Sequence, residues 1–369
     1  MRDFGVVFRI RVNSRGRLVF ACGGRCAIKR GNSLVFKGLA DPEVVIDTKA
    51  GEILDVAVAH DCEEWTWGAR IEHTATGSEL LTIHLPRVVA KLRKPTGPPL
   101  KVFTDARCPI RTIVSIYSMI LNGYSPAKVY LYGGYQWKPF ARILLAQFLP
   151  FASLVKQPVI CGQITQSASS EVADLAKQHW MLMKACVSLF CDPADFCAMD
   201  DDLFILKPVS SAVALAGEHD LVFAPDNDNA ELYQSIWGDV FGETPVTATA
   251  RLNGALYWLQ MRKDRKRVGE LMMRGFDKLS GWNKVHETWA WEQGFYAHLF
   301  AGDRVVELPK KSYWYPYLSG LPGGMMGYDY ANNPCGFTMI HFGGDVDKPT
   351  DGDALTLMPQ ILGDGSPTE

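Results

Sequence analysis

Asp200, Asp201 and Asp202 stand together between two apolar runs, Phe196-Cys197-Ala198-Met199 before them and Leu203-Phe204-Ile205-Leu206 after. Ionised carboxylates in an apolar setting are costly unless they are paired or bound to a metal. A hard divalent cation such as Mn²⁺ or Mg²⁺ is their natural partner, because it takes oxygen ligands and shares them with substrate phosphates. Asp200 and Asp202 project alike along a continuing strand, and a strand end or a tight turn also brings them around one ion. A solvated acidic turn is the alternative reading of the same residues.

The elements around the triplet alternate. Lys101 to Thr104 reads as a short strand, followed by a helix over 109–122. Ala127 to Tyr132 reads as a second strand ending at Gly133-Gly134, followed by a helix near 137–148 and a strand near 151–160. Ser170 to Phe190 reads as one long helix, with Ser169 or Ser170 as N-cap and Glu171 in its first turn. This order predicts an α/β layer around a largely parallel sheet. Ligands of such sheets bind beyond the carboxyl ends of the strands, where Asp105, Gly133 and Asp200 fall.

Residues 1–95 have a different pattern. Short alternating runs, 6–12 with 17–20, 43–47 with 52–58, and 69–73 with 79–85, are separated by turn residues and read as three hairpins of a small sandwich or barrel. Lys91 to Pro99 is basic and rich in Pro and Gly, as in a linker. The expected organisation is therefore a β-rich accessory domain over 1–95, an α/β domain over 100–350 and a flexible tail over 351–369.

Bulk properties narrow the function classes. The chain has 369 residues, is 47% hydrophobic and 21% charged, and has a net charge of −2. That balance supports a sizeable core and provides no global basic field to recruit nucleic acid or an anionic membrane. No run approaches the roughly 20 apolar residues of a bilayer-spanning helix. The opening Met1-Arg2-Asp3-Phe4-Gly5 lacks an apolar signal stretch. Nine scattered cysteines, several in apolar settings (Cys186, Cys191, Cys197), suit a reducing compartment, so a cytoplasmic protein is expected. Cys22 and Cys26 lack the further pair that structural zinc requires.

Four segments line up in order: Phe103-Thr104-Asp105; Lys184 followed by Met199-Asp200-Asp201-Asp202-Leu203; Arg251-Leu252-Asn253-Gly254-Ala255; and Met339-Ile340-His341-Phe342-Gly343-Gly344-Asp345-Val346-Asp347-Lys348-Pro349. Over about residues 101–349 the chain resembles the GT-A glycosyltransferases with an Asp-x-Asp motif, of the glycogenin and lipopolysaccharide-galactosyltransferase type. Three departures are visible. The spacing from Gly344 to Lys348 is one residue longer than the pattern, no Trp follows Pro349, and Ala255 stands where the pattern has glycine.

The resemblance implies a GT-A, Rossmann-like catalytic domain. It also implies a hexosyl transferase that takes a nucleotide-sugar donor, UDP-linked, with Mn²⁺ or Mg²⁺. Asp200, Asp202 and His341 would hold the metal. Thr104, Asp105, Asn253, Gly344 and Lys348 would face the donor, Lys348 gripping the diphosphate. Lys184 would face the donor from the long helix; its plainer reading is a solvated helix lysine. Asp105 reads equally as a helix N-cap, and His341 as a satisfied histidine at a strand end. Glu292, beside Trp289 and Trp291, would orient the acceptor hydroxyl or act as general base, completing a catalytic set with Asp200 and Asp202. Its plainer reading is a first-turn glutamate favoured by the helix dipole.

The aromatic run Ser312 to Tyr317 stacks either on sugars or in a core. The loop Gly320 to Gly327 closes over the donor or simply connects. The acceptor is open: a glycan, a protein or a small molecule, with nucleic acid disfavoured. The β-rich segment is open to acceptor binding, homo-oligomer formation or partner docking. Two other classes compete. A nucleotidyltransferase also pairs carboxylates over a nucleotide, but Thr104-Asp105-Ala106-Arg107 lacks its Gly-rich loop. A non-catalytic carbohydrate- or partner-binding protein on a degenerate scaffold would not need Asp200, Asp202 and His341 together.

Overall fold

The computed structural model describes residues 4–11, 16–21, 25–39, 44–49, 52–59, 68–72, 82–83, 95, 97–104, 108–133, 139–178, 180–242, 246–279, 288–314, 338–342 and 354. The amino-terminal part contains β1 (Phe4–Arg11), β2 (Gly16–Ala21), β3 (Arg25–Arg30), β4 (Ser33–Leu39), β5 (Val44–Thr48), β6 (Ile53–Ala59), β7 (Gly68–Glu72) and β8 (Thr82–Ile83). Among the described residues, none of the three expected hairpins pairs as expected. β1 pairs with β6 and β8, while β2 pairs with β5 and β7, so each expected pair is divided between two sheets of order β4-β3-β6-β1-β8 and β5-β2-β7. A turn sequence sets where the chain reverses. Which sheet takes the returning strand depends on the apolar face it must cover. The hairpin that does form, β3–β4, turns through Gly31 at φ 58°, the left-handed region that favours glycine. Ile28, Ile46 and Leu54 are buried in the same apolar core as Leu100 and Ile113 of the α/β part.

The α/β part runs β9 (Leu100–Thr104), α1 (Pro109–Leu121), β10 (Val129–Gly133), α2 (Pro139–Phe148), β11 (Ala152–Val155), α3 (Gln157–Ser167), α4 (Ser170–Ala176), α5 (Trp180–Phe190), β12 (Asp195–Asp200), β13 (Leu203–Ile205), α6 (Ser210–Ala216), β14 (Leu221–Pro225), α7 (Ala230–Phe241), β15 (Leu252–Gln260), α8 (Arg265–Leu279), α9 (Thr288–Phe300), β16 (Val305–Glu307), β17 (Tyr313–Trp314) and β18 (Met339–His341). Seven strands form the main sheet in the order β11-β10-β9-β12-β15-β14-β16. β15 runs antiparallel to both of its neighbours, and every other pairing is parallel. The expected α/β layer with a mostly parallel sheet, preceded by a β-rich region, is therefore present. The central strands are covered on both faces, so β9, β12, β14 and β15 are apolar and buried along most of their length instead of alternating. A small sheet, β13-β18-β17, sits beside the main one.

Two expectations need correction. The strand expected over 151–160 stops at Val155, and α3 begins at Gln157, with Pro158 in its first turn. Proline fits there because that N–H has no helical partner to lose. The single helix expected over 170–190 is two helices, α4 and α5. Ser169 does cap α4, its Oγ accepting from Val172 N at 3.3 Å. α5 is buried from Leu182 to Phe190, all round its circumference, whereas α4 keeps an exposed side. The two segments therefore pack in different environments and do not share one stripe.

The core contains a lysine. Lys101, inside β9, is 0% exposed. Its ammonium donates to the Val187 and Cys191 carbonyls at 3.1 and 2.8 Å, at the carboxyl end of α5, and lies 3.8 Å from the Phe196 ring centre. A cation there satisfies carbonyls that the helix leaves unpaired, while burial pushes the ammonium down to about 7.

α7, α8 and α9 pack around Trp237, whose ring centre lies 5.0 Å from that of Trp291 and 4.7 Å from that of Phe295. A Cβ at Gly275 would fall within the Trp237 ring. Gly275→Ala is therefore expected to lower stability by about 1–3 kcal/mol, the usual cost of overpacking a close-packed core, as measured by denaturant melts.

Candidate active site

β12 ends at Asp200, paired with Phe103 of β9, and Asp201 N donates to Phe103 O at 3.1 Å. The chain then turns through Asp201 and Asp202 and leaves the main sheet as β13. β13 pairs antiparallel with β18, placing Leu203 opposite His341, and Phe342 N donates to Asp202 O at 2.9 Å. That register brings a histidine 139 residues away in sequence alongside the acidic turn. Its Nε2 lies 3.4 Å from Asp202 Oδ1. Asp200, Asp202 and His341 offer one ligand atom each, all within 4.8 Å of one another. Two carboxylates and an imidazole that close together fit one divalent ion.

Behind this cluster lies a line of charges graded in exposure. Lys184 Nζ stands 2.9 Å from Asp200 Oδ2 and 3.8 Å from Glu292 Oε2. The Asp200 side chain is 21% exposed, that of Lys184 4% and that of Glu292 0%. Lys184 is thus a buried cation between two carboxylates, not a solvated helix lysine. Glu292 sits in the second turn of α9, not the first. Its carboxylate oxygens make no hydrogen bond of normal geometry among the described residues. Burial pushes the Glu292 carboxyl up to about 8, with Lys184 pulling the other way. For Lys184 burial opposes the charge, but Asp200 and Glu292 outweigh it and hold the ammonium above its ordinary range.

The other expected site residues divide into two groups. Asn253 is buried at the start of β15, its Oδ1 accepting from Ala255 N at 2.8 Å, while its buried Nδ2 has no hydrogen-bond partner among the described residues. A Cβ on the next residue, Gly254, would lie 3.5 Å from Glu292 Oε2, so Asn253-Gly254 abuts the Glu292 end of the charge line. Thr104 is buried at the end of β9, its Oγ1 3.2 Å from Thr112 Oγ1. Asp105, Gly344, Lys348, the loop 320–327 and residues 315–317 of the aromatic run lie outside the described residues. Within that run Tyr313 is buried, as core packing requires.

Three groups escaped the sequence reading. Asp201 accepts from Arg111 Nη2 at 2.8 Å and from Thr112 Oγ1 at 3.0 Å, so the middle acid of the triplet is committed to α1. Asp226 follows β14 directly. Burial raises its carboxyl, and the hydrogen bond it accepts from Asn227 N at 2.7 Å draws it partly back. An acid at the carboxyl end of an apolar strand, the same signal as at Asp200, was available to find it. Gln293 is braced with its amide nitrogen donating to Tyr233 Oη at 2.8 Å and Leu252 O at 3.1 Å, and its oxygen accepting from Gly254 N at 3.2 Å.

No protein-family model matches the chain, nor does any curated protein. Solved structures with a similar layout are glycosyltransferases. The galactosyltransferase LgtC, in complex with donor and acceptor sugar analogues, is 11% identical with a TM-score of 0.42, covering 74% of this chain and 97% of its own. Mouse xyloside xylosyltransferase 1 is 12% identical with a TM-score of 0.41, covering 69% and 99%. The bifunctional WbbM protein is 12% identical with a TM-score of 0.41, covering 73% and 51%. Similarity of this degree carries no activity across to this chain. Among the described residues, no helix is long and apolar enough to cross a membrane.

Proposed function

We propose that this chain is a metal-dependent glycosyltransferase of the GT-A type that moves a hexosyl group from a nucleoside-diphosphate sugar, UDP-linked, to an acceptor hydroxyl. The observation that carries this reading is the convergence of Asp200, Asp202 and His341 at the carboxyl end of the parallel strands, with Lys184 against Asp200. Mn²⁺, or Mg²⁺ in its place, would be held by these three residues and would supply charge neutralisation for the departing diphosphate.

The chain's own groups account for the rest. In glycosyl transfer the bond from the anomeric carbon to the diphosphate oxygen breaks, a bond to the acceptor oxygen forms, and the acceptor gives up its proton. Negative charge builds on the leaving diphosphate, and a fixed cation in a dry setting stabilises it without reorganising. Lys184 is such a cation: it is immobilised by Asp200 and kept charged by Asp200 and Glu292 together. Glu292 is fully buried behind it, so its part is to position Lys184 and tune the charge of the line, with a carboxyl that exchanges its proton near pH 8. Asn253, Gly254 and Thr104 belong to the donor side. In the same reading Asp105, Gly344 and Lys348 complete the grip on nucleoside and diphosphate. The β-rich region over 1–95 serves the acceptor or a further copy of the chain, and the protein works in the cytoplasm.

Titration calorimetry of UDP with and without Mn²⁺ tests the proposal. Binding of UDP that strengthens at least tenfold with Mn²⁺, together with slow Mn²⁺-dependent hydrolysis of one nucleotide sugar in a screen, is the expected result. UDP binding indifferent to Mn²⁺ would refute it.

A further inference from the structure

Helix α1 carries a polar stripe in the middle of the core. Arg111, Thr112, Ser115 and Ser118 are all buried, and Asn122 follows at the helix end. These residues recur at helical spacing and lie along one face. That face is laid against the acidic turn and β13. Arg111 Nη2 donates to Asp201 Oδ1 at 2.8 Å and Thr112 Oγ1 to Asp201 Oδ2 at 3.0 Å. Ser115 Oγ donates to Leu203 O at 2.6 Å, Ser118 Oγ accepts from Ile205 N at 2.9 Å, and Asn122 Nδ2 donates to Ile205 O at 2.9 Å. A single helix thus satisfies side-chain and backbone groups from Asp201 to Ile205, the stretch that contains Asp202 and carries the strand on which His341 is registered.

Such a stripe is expensive as mere packing. Four polar side chains, those of Arg111, Thr112, Ser115 and Ser118, occupy core positions where apolar residues would bury more surface without needing partners. Together with Asn122 they place five bonds on the stretch Asp201 to Ile205, beside bonds of Thr112, Ser118 and Asn122 to the Cys108, Ser115 and Ser118 carbonyls and of Thr112 to Thr104. Asp201 itself is 4% exposed and Arg111 3%. Their pair is closed off from solvent, and the bidentate use of Asp201 by Arg111 and Thr112 holds its carboxylate in one orientation.

We infer that Arg111, Thr112 and Asp201, continued by Ser115 and Ser118, are positioning residues that hold Asp200 and Asp202 in ligating geometry before a cation arrives. The cation affinity of the site is then set in part by groups that never touch the ion. This rests on the reading that Asp200, Asp202 and His341 hold a divalent cation. Asp201 points away from that cluster into α1, and a flexible acidic turn would otherwise have to be ordered at the expense of binding.

The test compares Thr112→Val and Asp201→Asn with Gly275→Ala, a variant strained at α8 away from the turn. Mn²⁺ binding to the purified full chain is followed by calorimetry and by the electron paramagnetic resonance of free Mn²⁺, with thermal midpoints recorded alongside. Thr112→Val and Asp201→Asn are expected to weaken Mn²⁺ binding about 10- to 100-fold, the range typical of residues that orient metal ligands. Gly275→Ala, although less stable than wild type, is expected to bind Mn²⁺ within about twofold of it. Should Asp201→Asn fail to fold, Thr112→Val, which preserves side-chain shape, and Ser115→Ala carry the comparison. Wild-type affinity in these ladder variants, or an equal loss in Gly275→Ala, overturns the inference while leaving the metal site standing. Absence of Mn²⁺ binding in the wild type overturns the metal site and the inference with it.

Discussion

Asp202→Asn is expected to lower Mn²⁺-dependent UDP binding by about 100-fold or more. Loss of a group that merely orients a ligand costs about 10- to 100-fold in metal affinity, so loss of a charged ligand itself costs at least as much. Asp202 is 1% exposed, and its Oδ1 faces His341 Nε2 at 3.4 Å. Asparagine keeps the side-chain shape, so a thermal melt separates loss of binding from loss of fold. The discriminating measurement pairs UDP titration in Mn²⁺ with a thermal melt in chelator. Unchanged metal-dependent binding in Asp202→Asn, with the melt unaltered, would remove the acidic turn from the site altogether.

Lys184→Met is expected to be the most disruptive change for stability and rate together. It removes the cation 2.9 Å from Asp200 and 3.8 Å from Glu292, leaving the carboxyls of Asp200 and Glu292 without the cation that stands between them. Breaking a buried ion pair from one side costs about 3–5 kcal/mol, and loss of a fixed cation beside a developing anion costs about 10²–10³ in kcat. Lys184→Met/Glu292→Gln should regain much of the stability and none of the rate. Glu292→Gln alone tests the tuning. The Glu292 carboxyl is raised from 4.5 to about 8 on folding. A raised folded value means that the group's contribution is fully present below the unfolded pKa and is lost as pH rises towards 8. Wild-type stability should therefore fall relative to Glu292→Gln between pH 5 and 8, by at most about 1.4 kcal/mol per pH unit. Denaturant melts at half-unit steps of pH read this directly. Parallel curves for the two proteins would show that Glu292 does not titrate in that window.

Much of the α/β part was legible because its signals are local. The helix expected over 109–122 is α1, Pro109–Leu121, and the one expected near 137–148 is α2, Pro139–Phe148. Proline at a first turn and continuous apolar strands leave marks in sequence whatever the rest of the chain does. The β-rich region was legible only to the level of strand and turn, because alternation is the same whether a strand returns to its own sheet or crosses to the other. Lys184 and Glu292 were visible as residue types, but their burial was not. A lysine on a helix is normally solvated, and only the closing of α5 against α9 and β12 makes it a buried cation.

By itself the sequence determined that carboxylates sit at the end of an apolar strand in an α/β alternation, since burial and periodicity are written in neighbouring residues. Only the tertiary structure decided how that charge is divided. Asp201 goes to Arg111 and Thr112, Asp200 to Lys184, and Asp202 to the side of His341. The reason is electrostatic. A buried charge must be answered by whichever group the chain brings within a few ångströms, and those groups are 16 to 139 residues away in sequence, beyond the reach of any local pattern.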